Sequence, residues 1–93
     1  MTQYIATIHK ESDSDYGVQF YDFPGCITAG TTLEEAKKMA NEALSSHLIW
    51  MIEDGDNIPL PNPLETILNE PDHQDAIAFM MIETSINYPL VVT

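Results

Sequence analysis

The sequence predicts an α+β domain in the order β-β-β-α-β, with one main helix packed on one face of a four-stranded sheet. Three observations carry this expectation. Tyr16, Val18 and Phe20 alternate with Gly17 and Gln19, the period of a half-buried strand. A single stretch, Thr32 to Gly55, keeps helical spacing of its apolar residues. A seven-residue apolar run, Ala76 to Ile82, follows a proline-rich break. Ninety-three residues allow one domain with a modest core.

Tyr4 to His9 is apolar and rich in β-formers, which predicts a first strand. Glu11-Ser12-Asp13-Ser14-Asp15 is polar and turn-forming, and Tyr16 to Phe20 forms the second strand. Asp22-Phe23-Pro24-Gly25 is the clearest turn, because proline presets its own φ and glycine accepts the positive φ that a type II turn needs next. Cys26 to Gly30 completes a three-stranded antiparallel meander. Thr32-Leu33-Glu34-Glu35 has capping-box spacing at a helix start, and Glu34 and Glu35 suit the positive end of the helix dipole. Leu33, Ala36, Ala40, Ala43, Leu44, His47, Leu48 and Met51 share one face over about six turns, and Gly55 ends the helix. The three prolines of Asn57 to Pro63 exclude regular structure, and Pro63 suits the first position of a short helix through Asn69.

In Ala76 to Ile82 both alternations are apolar, which predicts a strand buried on both faces or covered by a partner. The first three strands run up, down and up. Right-handed crossover through the helix then predicts the fourth strand beside the first and parallel to it, in sheet order 3-2-1-4. That leaves an apolar strand on a sheet edge, so the edge or the second sheet face is expected to contact another subunit or partner. The domain is expected over residues 1–84, with an extended tail over 85–93.

Composition narrows the function. Fifteen acidic and three basic side chains give a net charge of −12, and the basic residues are Lys10, Lys37 and Lys38. Binding nucleic acid relies on Lys and Arg to displace counterions, so direct nucleic-acid binding is not expected. A basic protein would be attracted instead, although acidity also serves plain solubility. The single cysteine, Cys26, excludes an intrachain disulfide. With no leader-like N-terminus and no apolar run near the length of a membrane span, a cytoplasmic location is expected.

No motif demands a catalytic reading. Glu11-x-Asp13-x-Asp15 lacks the EF-hand glycine and its flanking helices, so a solvated hairpin turn is the simpler account. His9, His47 and His73 show no zinc-ligand spacing, and His47 falls within the helix's apolar stripe as a core histidine with one hydrogen bond would. Cys26 follows a turn, where small buried cysteines are common. No glycine loop cradles phosphate, and no metal or cofactor is expected. Trp50 and Met39 flank the stripe while Ile49 projects opposite. Trp50 either completes the core or belongs to a contact surface, since Trp is enriched at binding hot spots. Glu53 and Asp54 sit where the helix dipole disfavours negative charge, and with Asp56 they form a cluster suited to a basic partner. Asp22, Phe23, Trp50, Glu53 and Asp54 are the candidate partner contacts, chosen for expected exposure and charge.

Several stretches together resemble the HicB-like antitoxins: Tyr4-Ile5-Ala6-x-Ile8-His9-Lys10, Asp15-Tyr16-Gly17-Val18-x-Phe20, Asp22-Phe23-Pro24-Gly25-Cys26-Ile27-Thr28-Ala29-Gly30, and Thr32-Leu33-Glu34-Glu35-Ala36. Glu42-Ala43-Leu44-x-x-His47-Leu48 and Glu53-Asp54-Gly55-x-x-Ile58-Pro59 continue the pattern. The resemblance implies a partial RNase H-like fold. It also implies neutralisation of a small basic HicA-type toxin, an mRNA-cleaving ribonuclease, by covering its active surface, often as a dimer or higher assembly. Many family members add a C-terminal DNA-binding module. None is expected within residues 85–93, so operator binding is not expected of this chain. Tyr21 stands where relatives often have proline. RNase H-like nucleases hold two metal ions on carboxylates of the first strand, and Tyr4 to His9 has none, so the expectation is a binding protein and not an enzyme. The competing expectation is a stand-alone regulatory or ligand-binding module of the same fold.

Overall fold

The computed structural model describes residues 2–71 and 75–84. The elements are β1 (Thr2–His9), β2 (Tyr16–Phe20), β3 (Ile27–Gly30), α1 (Leu33–Glu53), α2 (Leu64–Leu68) and β4 (Ala78–Thr84). The sheet order is β3-β2-β1-β4, as the sequence predicts. The tail expected over 85–93, and His73, lie outside the described residues.

Alternation along β1 explains the layering. Tyr4, Ala6 and Ile8 point to one face, where they join Val18, Phe20 and Ile82 beneath α1. On α1, Ala36, Ala40, Leu44 and Leu48 form the buried ridge, each four residues from the next. The two alanines allow the N-terminal half to lie close to the sheet, and the two leucines fill the wider space beyond. Fully burying each leucine is worth about 2 kcal/mol. The closest approach is at Gly30, where a Cβ would stand 2.7 Å from Ala36 Cα and 2.8 Å from Glu35 C. Leu33, expected on the buried stripe, is 43% exposed at the first helical position.

On the opposite face, Ile5 and Thr7 are also buried. Ile67 of α2 is buried outside the main cluster, as is Ile5. The expected short helix is therefore present, with Pro63 as its N-cap and not its first residue.

One expectation is overturned: β4 runs antiparallel to β1, not parallel, with register from Thr2↔Thr84 to Ile8↔Ala78. A crossover rule assumes that the helix delivers the chain directly into the strand. Here a long segment intervenes. Tyr4 Oη donates to Pro59 O at 2.6 Å, and Tyr21 Oη donates to Glu70 Oε1 at 3.2 Å, so this segment is still at the end of the sheet where β2 finishes. By Asp75 it has reached His9 at the other end, and Ile77 N donates to Ile8 O. The chain has climbed back before β4 begins, so the strand must descend. β4 is also not buried on both faces, since Ile82 is 0% exposed while Met81, on the other alternation, is 52% exposed.

Candidate functional site

The Asp22–Gly25 turn anchors the site. Cys26 N donates to Phe23 O at 2.9 Å across Pro24 and Gly25, and Gly25 has φ +91°, the type II geometry expected of Pro-Gly. The turn aims Phe23 inward. Its ring meets Tyr4 edge-on at 4.7 Å between centroids and His47 edge-on at 5.6 Å. His47 in turn meets Trp50 at 6.3 Å. Four rings thus run from the core to the surface, and Trp50 ends the row 62% exposed. His47 is half-buried and engages these rings, not the hydrogen bond expected of a core histidine. Phe23 is only 2% exposed, which corrects its selection as an exposed contact. Sequence position within a turn did not reveal that the side chain folds under Tyr4.

Beside Trp50 the helix ends in a Schellman motif. Asp56 N donates to Met51 O at 2.9 Å and Gly55 N to Ile52 O at 3.1 Å, with Gly55 at φ +73°. The last turn carries no basic residue, and Glu53, Asp54 and Asp56 are all exposed there. Asp22 faces the same place from the turn. Its Oδ1 accepts from Asn62 Nδ2 at 2.6 Å and Asn62 N at 3.2 Å, while Oδ2 is buried without a partner. Burial pushes the Asp22 carboxyl above its ordinary range, and the two Asn62 hydrogen bonds oppose the shift. Asp22, Phe23, Pro24, His47, Trp50, Met51, Asp54 and Asp56 line a cleft of about 220 Å³. Of the expected contacts, Asp22, Trp50 and Asp54 therefore converge. Glu53 lies next to the cleft on the exposed helix surface, and Asp56 and His47 complete it.

Other groups do not assemble a reaction centre. Cys26 is buried, and burial raises its thiol to about 11, the inert state expected of a packed cysteine. His9 Nδ1 lies 3.1 Å from Asp75 Oδ1 and His9 Nε2 lies 2.9 Å from Thr7 Oγ1. That order resembles an acid–base–hydroxyl relay, yet Thr7 is 0% exposed and cannot meet a substrate. The acidic stretch Glu11–Asp15 forms a hairpin turn closed by Ser14 N donating to Glu11 O at 3.2 Å. Among the described residues no group of three or more His, Cys, Asp or Glu side chains is arranged to hold a metal ion, and no helix is long and apolar enough to cross a membrane.

Comparison with known proteins identifies the scaffold. Residues 4–88 match the family described as HicB_like antitoxin of bacterial toxin-antitoxin system. The chain is 43% identical over 74 residues to an uncharacterized 14.9 kDa protein of Haemophilus phage HP1, covering 80% of this chain and 55% of that one. It is 37% identical over 71 residues to antitoxin HicB of Escherichia coli K12, covering 76% and 49%. The chain thus spans about half the length of the curated relatives it matches. The crystal structure of the Burkholderia pseudomallei antitoxin HicB superposes with a TM-score of 0.79 at 25% identity, over 100% of this chain and 75% of that one. A chain of the HicA3 and HicB3 toxin-antitoxin complex shares the fold with a TM-score of 0.74 at 23% identity, over 91% and 100%. With a family match across nearly the whole four-stranded sheet and its helix, this chain belongs to the HicB-like antitoxins.

Proposed function

We propose that this chain is an antitoxin that binds a small basic HicA-type ribonuclease and silences it by masking its active surface, without catalysis of its own. The match to the family over residues 4–88 carries the reading. The net charge of −12 supports it, since an acidic surface competes for the same cationic groups that RNA phosphates would occupy. The HicA3–HicB3 complex supplies the precedent for a toxin partner. Asp22, Trp50, Glu53 and Asp54 form the contact surface, and Phe23 supports it from beneath. Residues 1–84 act as one partial RNase H-like unit in the cytoplasm, and the chain does not itself bind nucleic acid.

A second copy pairs along β4. This strand lies at a sheet edge and exposes Met81, with exposed Ile77 just before it, the kind of apolar edge that another chain covers.

The test is co-expression with the product of the adjoining reading frame. A small basic protein held in fixed stoichiometry, whose RNA cleavage stops at equimolar antitoxin, is the expected result. Cleavage that continues at low ionic strength overturns the reading and favours a stand-alone regulatory module. Light scattering of the purified chain checks self-association, and a monomer at high concentration refutes the β4 pairing.

A further inference from the structure

The cleft at the C-terminal end of α1 has a more specific chemistry than a general acidic surface. Part of its lining is apolar and aromatic: Phe23, Met51, His47 and Trp50. Two exposed carboxylates, Asp54 and Asp56, line it as well, together with the half-buried Asp22. Asp22 and Trp50 come from different elements, the β2–β3 turn and the helix, so the cleft is formed by tertiary packing and is not a run of acids in sequence. The partial negative charge of the helix C-terminus falls on the same spot, with no lysine or arginine in the last turn to offset it. A tryptophan 62% exposed that shares a cleft with the exposed carboxylates of Asp54 and Asp56 is what a flat cation prefers, since the ring face attracts the charge and the carboxylates receive its N–H groups.

We infer that this cleft seats one arginine side chain of the toxin, its guanidinium stacked on Trp50 and its N–H groups donating to Asp54 and Asp56. The inference rests on the antitoxin reading for the identity of the partner, but not for the existence of the site. Arginine fits better than lysine because a planar fork can stack and bridge several carboxylates together, whereas an ammonium is a compact, strongly hydrated point charge. Among the described residues, the unpartnered Oδ2 of Asp22 adds negative potential at the cleft without itself being open to solvent.

Trp50 is the single tryptophan, so its fluorescence reports on the cleft directly. A blocked Gly-Arg-Gly tripeptide is titrated into the full chain, alongside the same peptide with citrulline, a neutral isostere of arginine, and with lysine. The expected result is a saturable change with arginine, a weaker one with lysine and none with citrulline. In the doubly substituted Asp54→Asn, Asp56→Asn chain the arginine response is expected to weaken about tenfold. Equal responses to arginine and citrulline, or a titration indifferent to the two substitutions, overturn the site. The substituted side chains are exposed, and circular dichroism confirms that the variants fold.

A second measurement separates the two readings. Trp50→Ala is expected to require about fivefold more antitoxin than the unsubstituted chain to silence the toxin, with Trp50→Phe in between. If the unsubstituted chain silences the toxin and Trp50→Ala does so equally well, the arginine seat fails and the antitoxin reading stands. If no form silences the toxin while the peptide still binds, the antitoxin reading fails and the seat stands for a different basic partner.

Discussion

The two ends of α1 differ in how well they are satisfied. At the N-terminal end Thr32 Oγ1 accepts from Glu35 N at 3.0 Å, and Glu35 Oε1 accepts from Thr31 N at 2.9 Å. The return bond of the capping box thus reaches one residue further back than the expected Thr32 amide. Glu34 and Glu35 face the positive end of the dipole, and Gly30 lets the first turn rest on β3. At the C-terminal end the backbone is closed correctly by Gly55, yet the side chains oppose the dipole: Glu53, Asp54 and Asp56 crowd the negative end, and Trp50 stands in solvent. The first end is organised for stability alone. On the contact surface proposed above, the second gives up some stability to hold charge and aromatic surface for a partner, a common trade at binding sites.

Substitutions at the two ends should therefore have opposite signs. The largest effect belongs to Gly30→Ala, whose new Cβ would collide with backbone of Ala36 and Glu35; a loss of about 3 kcal/mol is expected in urea denaturation. A loss under about 0.5 kcal/mol would show that the helix can lift from β3 freely. Thr32→Ala removes the N-cap acceptor and is expected to cost about 1 kcal/mol.

At the other end, Asp22→Asn keeps an acceptor for Asn62 and removes a half-buried charge but leaves its NH2 at the buried, partnerless position of Oδ2, so the gain at neutral pH is expected to stay below about 0.5 kcal/mol. The direction of the Asp22 shift fixes its pH dependence. A carboxyl raised in the fold contributes stability that is present below its unfolded value and is lost as pH rises through the folded one. Denaturation curves of the two chains should therefore converge in acid and separate as pH climbs past the ordinary aspartate range. A similarly small effect belongs to Glu53→Lys, expected to stabilise by about 0.3–0.5 kcal/mol at low salt while weakening toxin binding. Stabilisation with unchanged binding would mean that Glu53 lies outside the interface.

Much of this architecture was legible in local pattern. Val18 and Phe20 announced β2 by alternation, Pro24-Gly25 announced its turn by φ preference, and Ala36, Ala40, Leu44 and Leu48 announced the buried face of α1. These signals depend on near neighbours. The direction of β4 was not legible, because it depends on where the segment after α1 turns back, and that is decided by distant contacts such as Tyr4 with Pro59 and Tyr21 with Glu70. The candidate site divides in the same way. Glu53 and Asp54 were visible as charges misplaced on a helix end, and Trp50 as a large ring off the apolar stripe. The burial of Phe23 and the place of Asp22 in one cleft with Asp54 and Asp56 required the turn to be docked on the helix, which no spacing within the chain expresses.

The descending course of β4 has a mechanical consequence. Thr2 and Thr84 are register partners, so the start of β1 and the end of β4 lie side by side. Tension applied across those two points would load the seven β1–β4 pairs one after another, like opening a zip, whereas a parallel strand would have made all of them resist sliding together.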